Sequence, residues 1–383
     1  MKIFYWCPFI SRVATPTSVI NSIKSLTKYS NQKFECSLIN VANEWSNFNE
    51  IKKIDNLKIY NLHNTLDFNN LPKGGFLKSR ITYFIVFFRS IIKLHFFLKK
   101  HEPNFLVVHL LTFIPLILLS IFNYKTKFIL RISGLPILNW PRTIFWKHVS
   151  SKLYKVLTPT KLTEDLLLKK KIFPKNIIST VYDPIICVNE IMKKKKIKIK
   201  NNFLKKDYII SIGRLTKQKN YFFLLGVIHS LIKEKFKIKI LILGDGEEKK
   251  KLQNYVDKNK LDKEIYLNGF QDNVYNFLSK SDFFILTSKW EDPGFVILEA
   301  MFLRKVVISS DCYNGPIEII KNNFNGFLFK QNDQQECVNK IKNTYASINN
   351  FDKEIKQIKL NALKTARKFT IFNHYKEFVK HIL

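Results

Sequence analysis

Acidic residues are scarce in this chain: 30 Asp and Glu against 64 Lys and Arg over 383 residues, a formal net charge of +34. A balance this basic favours an anionic partner, whether nucleic acid, anionic lipid or a phosphorylated substrate. Arginine is scarcer still, eight of those 64. A charge-driven nucleic-acid binder would cluster arginines and aromatics on one face. Here the excess is diffuse, 27 basic against 9 acidic residues over 1–185 and 37 against 21 over 186–383. No nucleic-acid recognition motif appears, so nucleic acid is set aside as a partner. Cysteine is sparse and scattered (Cys7, Cys36, Cys187, Cys312, Cys337), with no C-x-x-C pair. That argues against a disulfide framework or a zinc site and suits a reducing cytosol. The first residues lack an apolar run long enough for a signal peptide, because Pro8 and Arg12 interrupt it. They read better as the first strand of a sheet. Internal repeats are absent.

What is present is a folded composition, 46% hydrophobic and 25% charged, in a chain long enough for two domains. Short apolar runs alternate with helical stretches from Lys2 to about Val181. Strands are expected at 2–7, 34–41, 57–60, 105–110, 128–132, 155–157 and 177–181. Alternation of this kind means a parallel sheet with crossover helices. Tyr182-Asp183-Pro184 breaks the pattern, and the lysine-rich 193–206 reads as a connector. A second alternation follows from Tyr208, with strands at 208–212, 238–243, 264–267, 282–286, 306–309 and 325–329. The helix at 79–99 is unusually apolar. Arg89, Lys93 and His95 interrupt it, and a bilayer span would hold them at heavy cost. Burial is the first expectation for this helix, and a position on a membrane surface with lysines at its rim the second.

One stretch in the second half organises the chemistry. Ser288–Met301 carries Glu291 on the loop leaving the carboxyl end of a strand, where open α/β sheets bind ligands. Gly294, Phe295 and Val296 open the following helix and offer backbone N–H groups to an anion. Glu299 lies about one and a half turns further on and can face the same crevice. Gly213-Arg214-Leu215-Thr216-Lys217-Gln218-Lys219 follows another strand, and Gly213 allows close backbone approach. Arg214 offers a planar fork and Lys219 a point charge, so together they can neutralise one leaving diphosphate. Gly244-Asp245-Gly246 and Asn268-Gly269-Phe270 end two more strands. Each of these is as readily a plain turn as a site, and neither makes a full dinucleotide fingerprint.

In this order and spacing the set resembles the donor-binding domain of retaining glycosyltransferases of family 4. The matching motifs are G-R-L-x-x-x-K at 213–219, G-D-G at 244–246, N-G-F at 268–270 and E-x7-E from Glu291 to Glu299. The stretches 311–320 and 325–328 also look like that family. The resemblance implies the GT-B fold: α/β, with two Rossmann-like doubly wound domains facing each other across a cleft. Residues 1–185 would be the acceptor-binding domain and 186–369 the nucleotide-sugar-binding domain, with a C-terminal helix at 370–383 able to cross back to the first. It also implies roles. Arg214 and Lys219 would hold the donor's diphosphate, Glu299 the ribose hydroxyls, and Glu291 the transferred sugar. Gly213, Gly244, Phe270, Gly294, Phe295 and Val296 would complete the donor site. The family needs no metal or other cofactor, and the chain has no D-x-D to hold one.

The first half departs from the family pattern. The loop 8–15 has no glycine, and Ser133 stands where many relatives carry histidine. That puts the histidine's sugar contact in doubt, and Arg131 and His109 are the weaker candidates for acceptor or sugar contact. The expected activity is transfer from a UDP- or GDP-linked sugar to a glycan or lipid-linked acceptor in bacterial surface polysaccharide or lipopolysaccharide synthesis. The expected location is the cytoplasm, peripheral on an anionic membrane face. The alternatives are a sugar-nucleotide epimerase of the same fold and a basic, non-enzymatic nucleic-acid- or membrane-binding protein.

Overall fold

The structure, a computed structural model, describes residues 1–9, 14–46, 48, 50–72, 76–198 and 207–383. Three stretches read from the sequence fall partly outside the described residues: the glycine-free loop 8–15, the loop through Gly74 and Gly75, and the far end of the lysine-rich connector. The chain divides into two compact units, 1–184 with 371–383, and 185–370.

In the first unit strand and helix alternate as β1 (Lys2–Trp6), α1 (Thr15–Tyr29), β2 (Glu35–Asn40), β3 (Lys58–Asn61), α2 (Phe76–His101), β4 (Phe105–Val108) and α3 (Phe113–Ile121). β5 (Lys127–Arg131), α4 (Trp140–Val149), β6 (Lys155–Thr158), α5 (Lys161–Lys169) and β7 (Ile178–Thr180) follow. The seven strands form one parallel sheet in the order β3-β2-β1-β4-β5-β6-β7. Its strands are apolar on both faces because helices cover both. The two-residue strand period sorts them: Phe4 and Trp6 enter one core with Val86, Leu94 and Leu98 of α2, while Ile3 and Tyr5 enter the other with Val19 and Ile23 of α1. Thr160 caps α5 by accepting from the Thr163 N–H at 3.1 Å, and Asn139 caps α4 through Arg142 N–H at 3.2 Å.

The second unit opens with α6 (Val188–Lys194), then β8 (Ile209–Ile212), α7 (Tyr221–Lys233), β9 (Ile240–Leu243), α8 (Lys249–Lys258), β10 (Ile265–Leu267), α9 (Tyr275–Lys280), β11 (Phe283–Leu286) and α10 (Phe295–Phe302). β12 (Val306–Ser310), α11 (Pro316–Ile319), β13 (Phe327–Phe329), α12 (Gln334–Asn349) and α13 (Lys353–Arg367) complete it. All six strands are parallel in the order β10-β9-β8-β11-β12-β13. The last helix, α14 (Ile371–Ile382), belongs to the first unit. It lays Phe378 and Ile382 into the core under α1. Its His374 is held at both nitrogens, Nε2 at 2.9 Å from Ser22 Oγ and Nδ1 at 2.8 Å from Tyr182 O. The carbonyl can only accept, so Nδ1 carries the proton and Nε2 accepts from the serine. Burial, with the nearby Arg131 charge, depresses this histidine to about 4.

Two expectations need correction. The connector expected at 193–206 starts inside a helix, because α6 runs through Lys193 and Lys194 and buries Ile191. The apolar helix α2 is not buried all round. Positions 82, 86, 90, 94 and 98 face protein, whereas Phe84, Phe88, Ile92 and Phe96 are exposed.

Candidate active site

β8 lies mid-sheet, with β9 and β10 stacked to one side and β11 to the other, so the connections reverse direction between β8 and β11. A crevice opens at the carboxyl ends of strands where the order reverses in this way. The loop after β8 carries Gly213, Arg214 and Lys219, and the loop after β11 carries Ser288, Glu291 and Gly294. The two loops are joined by backbone: Lys289 N–H donates to Gln218 O at 2.8 Å, and Gln218 Nε2 donates to Trp290 O at 2.9 Å.

Across this reversal Lys219 Nζ donates to Glu291 Oε1 at 2.5 Å. Ser288 Oγ donates to the same oxygen at 2.5 Å. Both side chains of the ion pair are largely buried, 12% and 5% exposed. Both bonds fall on Oε1; Oε2 accepts none from the described residues, and the ammonium retains two further N–H groups. The lysine stem lies along the backbone of Gly213, where an added Cβ would stand 3.0 Å from Lys219 Cε. Arg214, which follows Gly213, is exposed, and its side chain makes no hydrogen bond or ion pair with the described residues.

Glycine matters most at two places. A Cβ on Gly244 would stand 1.8 Å from Gly213 O, so the loops after β8 and β9 pack backbone on backbone. Gly244 N–H also donates to Gly269 O at 2.8 Å, which ties in the loop after β10 that presents Phe270, 62% exposed. At Gly294 a φ of 86° turns the chain into α10 without any side-chain cap. The first-turn N–H groups of Phe295 and Val296 consequently have no partner among the described residues.

Glu299 sits on the second turn of α10, and its carboxylate meets Tyr275 of α9 instead of the lysine. Tyr275 Oη donates to Glu299 Oε1 at 2.8 Å. Burial raises the Glu299 carboxyl to about 7, against the opposing pull of the Tyr275 hydrogen bond and Lys194. The structure thus joins Gly213, Lys219, Glu291, Gly244 and Gly294 by contact or near-contact. Arg214, Phe270 and Glu299 stand on the same loops and helix with other surroundings.

The weaker candidates lie in the first unit, and two of them are occupied. Arg131, at the end of β5, is buried; Nη2 donates to Asp183 Oδ1 at 2.8 Å and Nη1 to Thr158 O at 3.1 Å. Ser18 Oγ donates to the same Asp183 oxygen at 2.6 Å. Burial alone would raise the Asp183 carboxyl, but the Arg131 charge and these hydrogen bonds hold it below the ordinary value of 3.8. His109 is buried beside Tyr5, and burial with the Arg131 charge depresses it to about 3, so it is neutral at physiological pH. Ser133 Oγ is buried without a hydrogen-bond partner among the described residues. No three His, Cys, Asp or Glu side chains cluster among the described residues in a way that would hold a metal ion.

Sequence reasoning missed Ser288, Tyr275 and Asp183 as partners. Serine three residues before Glu291 and tyrosine two after Asn273 carry no signal of their own. Asp183 was visible only as part of a break.

A parallel α/β unit with a charged pair across its switch point has the architecture of a doubly wound ligand-binding unit. Residues 192–360, nearly all of the second unit, match the model of the family "Glycosyl transferases group 1". A Methanocaldococcus jannaschii protein described as an uncharacterized glycosyltransferase is 31% identical over 242 residues, 58% of this chain and 59% of that protein. The alignment thus spans less than two thirds of that relative. The N-acetylgalactosamine-N,N'-diacetylbacillosaminyl-diphospho-undecaprenol 4-alpha-N-acetylgalactosaminyltransferase of Campylobacter jejuni is 24% identical over 75% of each chain. The crystal structure of a glycosyltransferase from Rickettsia africae ESF-5 superposes with a TM-score of 0.76 at 15% identity, covering 100% of this chain and 97% of that one. The likeness at that identity is one of fold. Two Rossmann-like α/β units, the fold class expected from the sequence, are what the chain forms.

Proposed function

We propose that the chain is a retaining, metal-independent glycosyltransferase of family 4. It moves a sugar from a UDP- or GDP-linked donor to a glycan or lipid-linked acceptor in surface polysaccharide assembly, acting in the cytoplasm. The observation that carries this reading is the Lys219–Glu291 pair across the switch point, with one carboxylate oxygen and two ammonium N–H groups uncommitted. A ligand with hydroxyls beside a diphosphate fits that remainder. Sugar hydroxyls donate to Glu291 Oε2, and phosphate oxygens accept from Lys219, from exposed Arg214 and from the first-turn amides of α10. Glu299, held by Tyr275, takes ribose hydroxyls. The name of the Campylobacter relative, which specifies a diphospho-undecaprenol-linked acceptor, supports a lipid-linked acceptor here.

In the proposed reaction the bond from the sugar's anomeric carbon to the donor phosphate breaks, and a bond to the acceptor oxygen forms on the same face. The departing phosphate oxygen takes the acceptor's proton. Charge develops on the diphosphate, so the fixed cations and amides around it supply most of the stabilisation. Removing one such contact typically costs about 10²–10³ in turnover.

The test is turnover of a panel of UDP- and GDP-sugars with a diphospho-lipid-linked acceptor, in wild type, Glu291→Ala and Arg214→Ala, each shown to be folded. Turnover should fall about 100-fold or more in both variants and persist in a chelator. Wild-type rates in both variants would refute the assignment.

A further inference from the structure

From the exposed side of α2 we infer that the first unit docks on an anionic lipid surface, with this helix lying flat and its phenylalanine stripe inserted. The helix is apolar on both faces, where a surface helix of a soluble unit keeps one face polar. Val86, Leu94 and Leu98 point into the sheet core, and Thr82 and Ser90 are tied down beside them. Thr82 Oγ1 donates to Pro72 O at 2.6 Å, and Ser90 Oγ lies 3.1 Å from His63 Nε2. On the opposite face Phe84, Phe88, Ile92 and Phe96 are 63%, 69%, 64% and 66% exposed. A four-residue spacing keeps these side chains in one row along the helix.

The row widens into a patch. Phe88 contacts Phe87 (ring centroids 5.2 Å apart), Phe87 contacts Phe113 of α3 (6.0 Å), and Phe113 contacts Phe145 of α4 (4.9 Å). Around that last contact α4 exposes Trp140 and Ile144. A contiguous exposed apolar patch of this kind is uncommon on a chain that meets only water, and it marks a docking surface. By length and composition residues 80–101 are apolar enough to cross a membrane. Its inner face, however, is committed to the core of the unit, so the helix can offer a membrane one side only.

Charge selects the occupant. Between Asp67 and Glu164 the chain has fifteen Lys and Arg and one acidic residue, Glu102, and that one pairs with Lys125. Exposed Arg89 and Lys93 stand one residue on from Phe88 and Ile92, which puts them on the rim of the stripe. Phenylalanines flanked by cations suit an interface of acyl chains beneath anionic headgroups. A second copy of this chain would bring the same positive charge against itself, which disfavours self-association through this face.

Flotation of the purified full chain with phosphatidylcholine vesicles, with and without phosphatidylglycerol, tests the inference. Wild type should float with the anionic vesicles at low salt, and less at high salt. Phe84→Ser/Phe88→Ser/Ile92→Ser should lose about tenfold or more of the bound fraction, with thermal stabilisation by UDP or GDP unchanged. That second readout separates this surface from the proposed reaction, because nucleotide binding belongs to the other unit. Should the triple variant fail to fold, Arg89→Ser/Lys93→Ser serves instead, and should abolish the preference for anionic over neutral vesicles. The inference falls if wild type ignores anionic vesicles at low salt, or if folded variants float like wild type. It falls equally if the triple substitution merely converts a dimer to a monomer.

Discussion

Each unit sets a basic side chain against a carboxylate at the carboxyl edge of a parallel sheet, and the two pairs differ in what they leave over. In the first unit Arg131 and Asp183 are 3% and 11% exposed, and Ser18 and Thr158 take up further bonding capacity. In the second, Lys219 and Glu291 are just as close, and again both bonds to the carboxylate fall on one oxygen, but the cation is a lysine and the neighbouring Arg214 side chain is exposed. The first cation is bonded to the protein at both Nη atoms, whereas the second is an ammonium with two N–H groups to spare beside an exposed guanidinium. The residue types agree with this division. Arginine's fork suits a fixed, fully bonded partner, and lysine's flexible point charge suits one that exchanges partners.

The largest expected effect comes from removing each carboxylate in turn. Asp183→Ala leaves the Arg131 guanidinium buried without its counter-ion, which costs about 3–5 kcal/mol, or roughly 10 °C in melting temperature. Glu291→Ala should cost no more than ~1–2 kcal/mol, because the Lys219 stem can swing its ammonium to water. Calorimetry of the two variants decides the matter. Equal destabilisation would mean that the second pair is as structural as the first.

Next in size is the response to pH, which should differ in sign between Asp183 and Glu299. Asp183 has its folded value lowered. Its contribution is therefore present above the ordinary 3.8 and disappears as the pH falls below it. Glu299 is raised from 4.5 to about 7, so the folded state binds more protons between those values than the unfolded one. Stability therefore declines as the pH rises through that window, by up to ~3 kcal/mol. Glu299→Gln should flatten the decline, and melting temperatures at pH 5 and pH 8 would show it. If the slope survives in that variant, it belongs to another group; Glu44, whose carboxyl burial lifts to about 7, is the first to try.

The α/β alternation was legible because strands buried on both faces are continuous apolar runs such as Phe105-Leu106-Val107-Val108, and because the helices between them carry ordinary signals such as Asn139 and Thr160 at their caps. Boundaries held where polar signals bound the run at both ends, as at Phe283–Leu286 against the expected 282–286. They slipped where none does: the strand expected at 238–243 starts at Ile240, and α6 went unforeseen because seven residues give too few turns for a period to show. The motifs gathered Gly213, Lys219, Glu291 and Gly294 because strand order forces the loops after β8 and β11 together. Composition could not reveal which face of α2 would be exposed. Both faces are apolar, and only packing against the sheet distinguishes Val86 from Phe88.

The smallest expected effect sharpens the comparison at the level of single hydroxyls. Ser288 Oγ donates to Glu291 Oε1 at 2.5 Å, the same oxygen that pairs with Lys219. Ser133 Oγ is buried with no partner among the described residues, where the resemblance would put histidine in many relatives. A hydrogen bond to a charged group contributes about 1.5–3 kcal/mol, whereas deleting a buried hydroxyl that bonds to nothing removes only a desolvation penalty. Ser288→Ala should thus slow turnover by roughly tenfold or more, as Glu291 loses the donor that fixes its orientation. Ser133→Ala should leave turnover unchanged and shift stability by less than about 1 kcal/mol, with the sign towards greater stability. A large loss of turnover in Ser133→Ala would show that the hydroxyl's partner is the acceptor or the sugar itself, and would move part of the chemistry into the first unit.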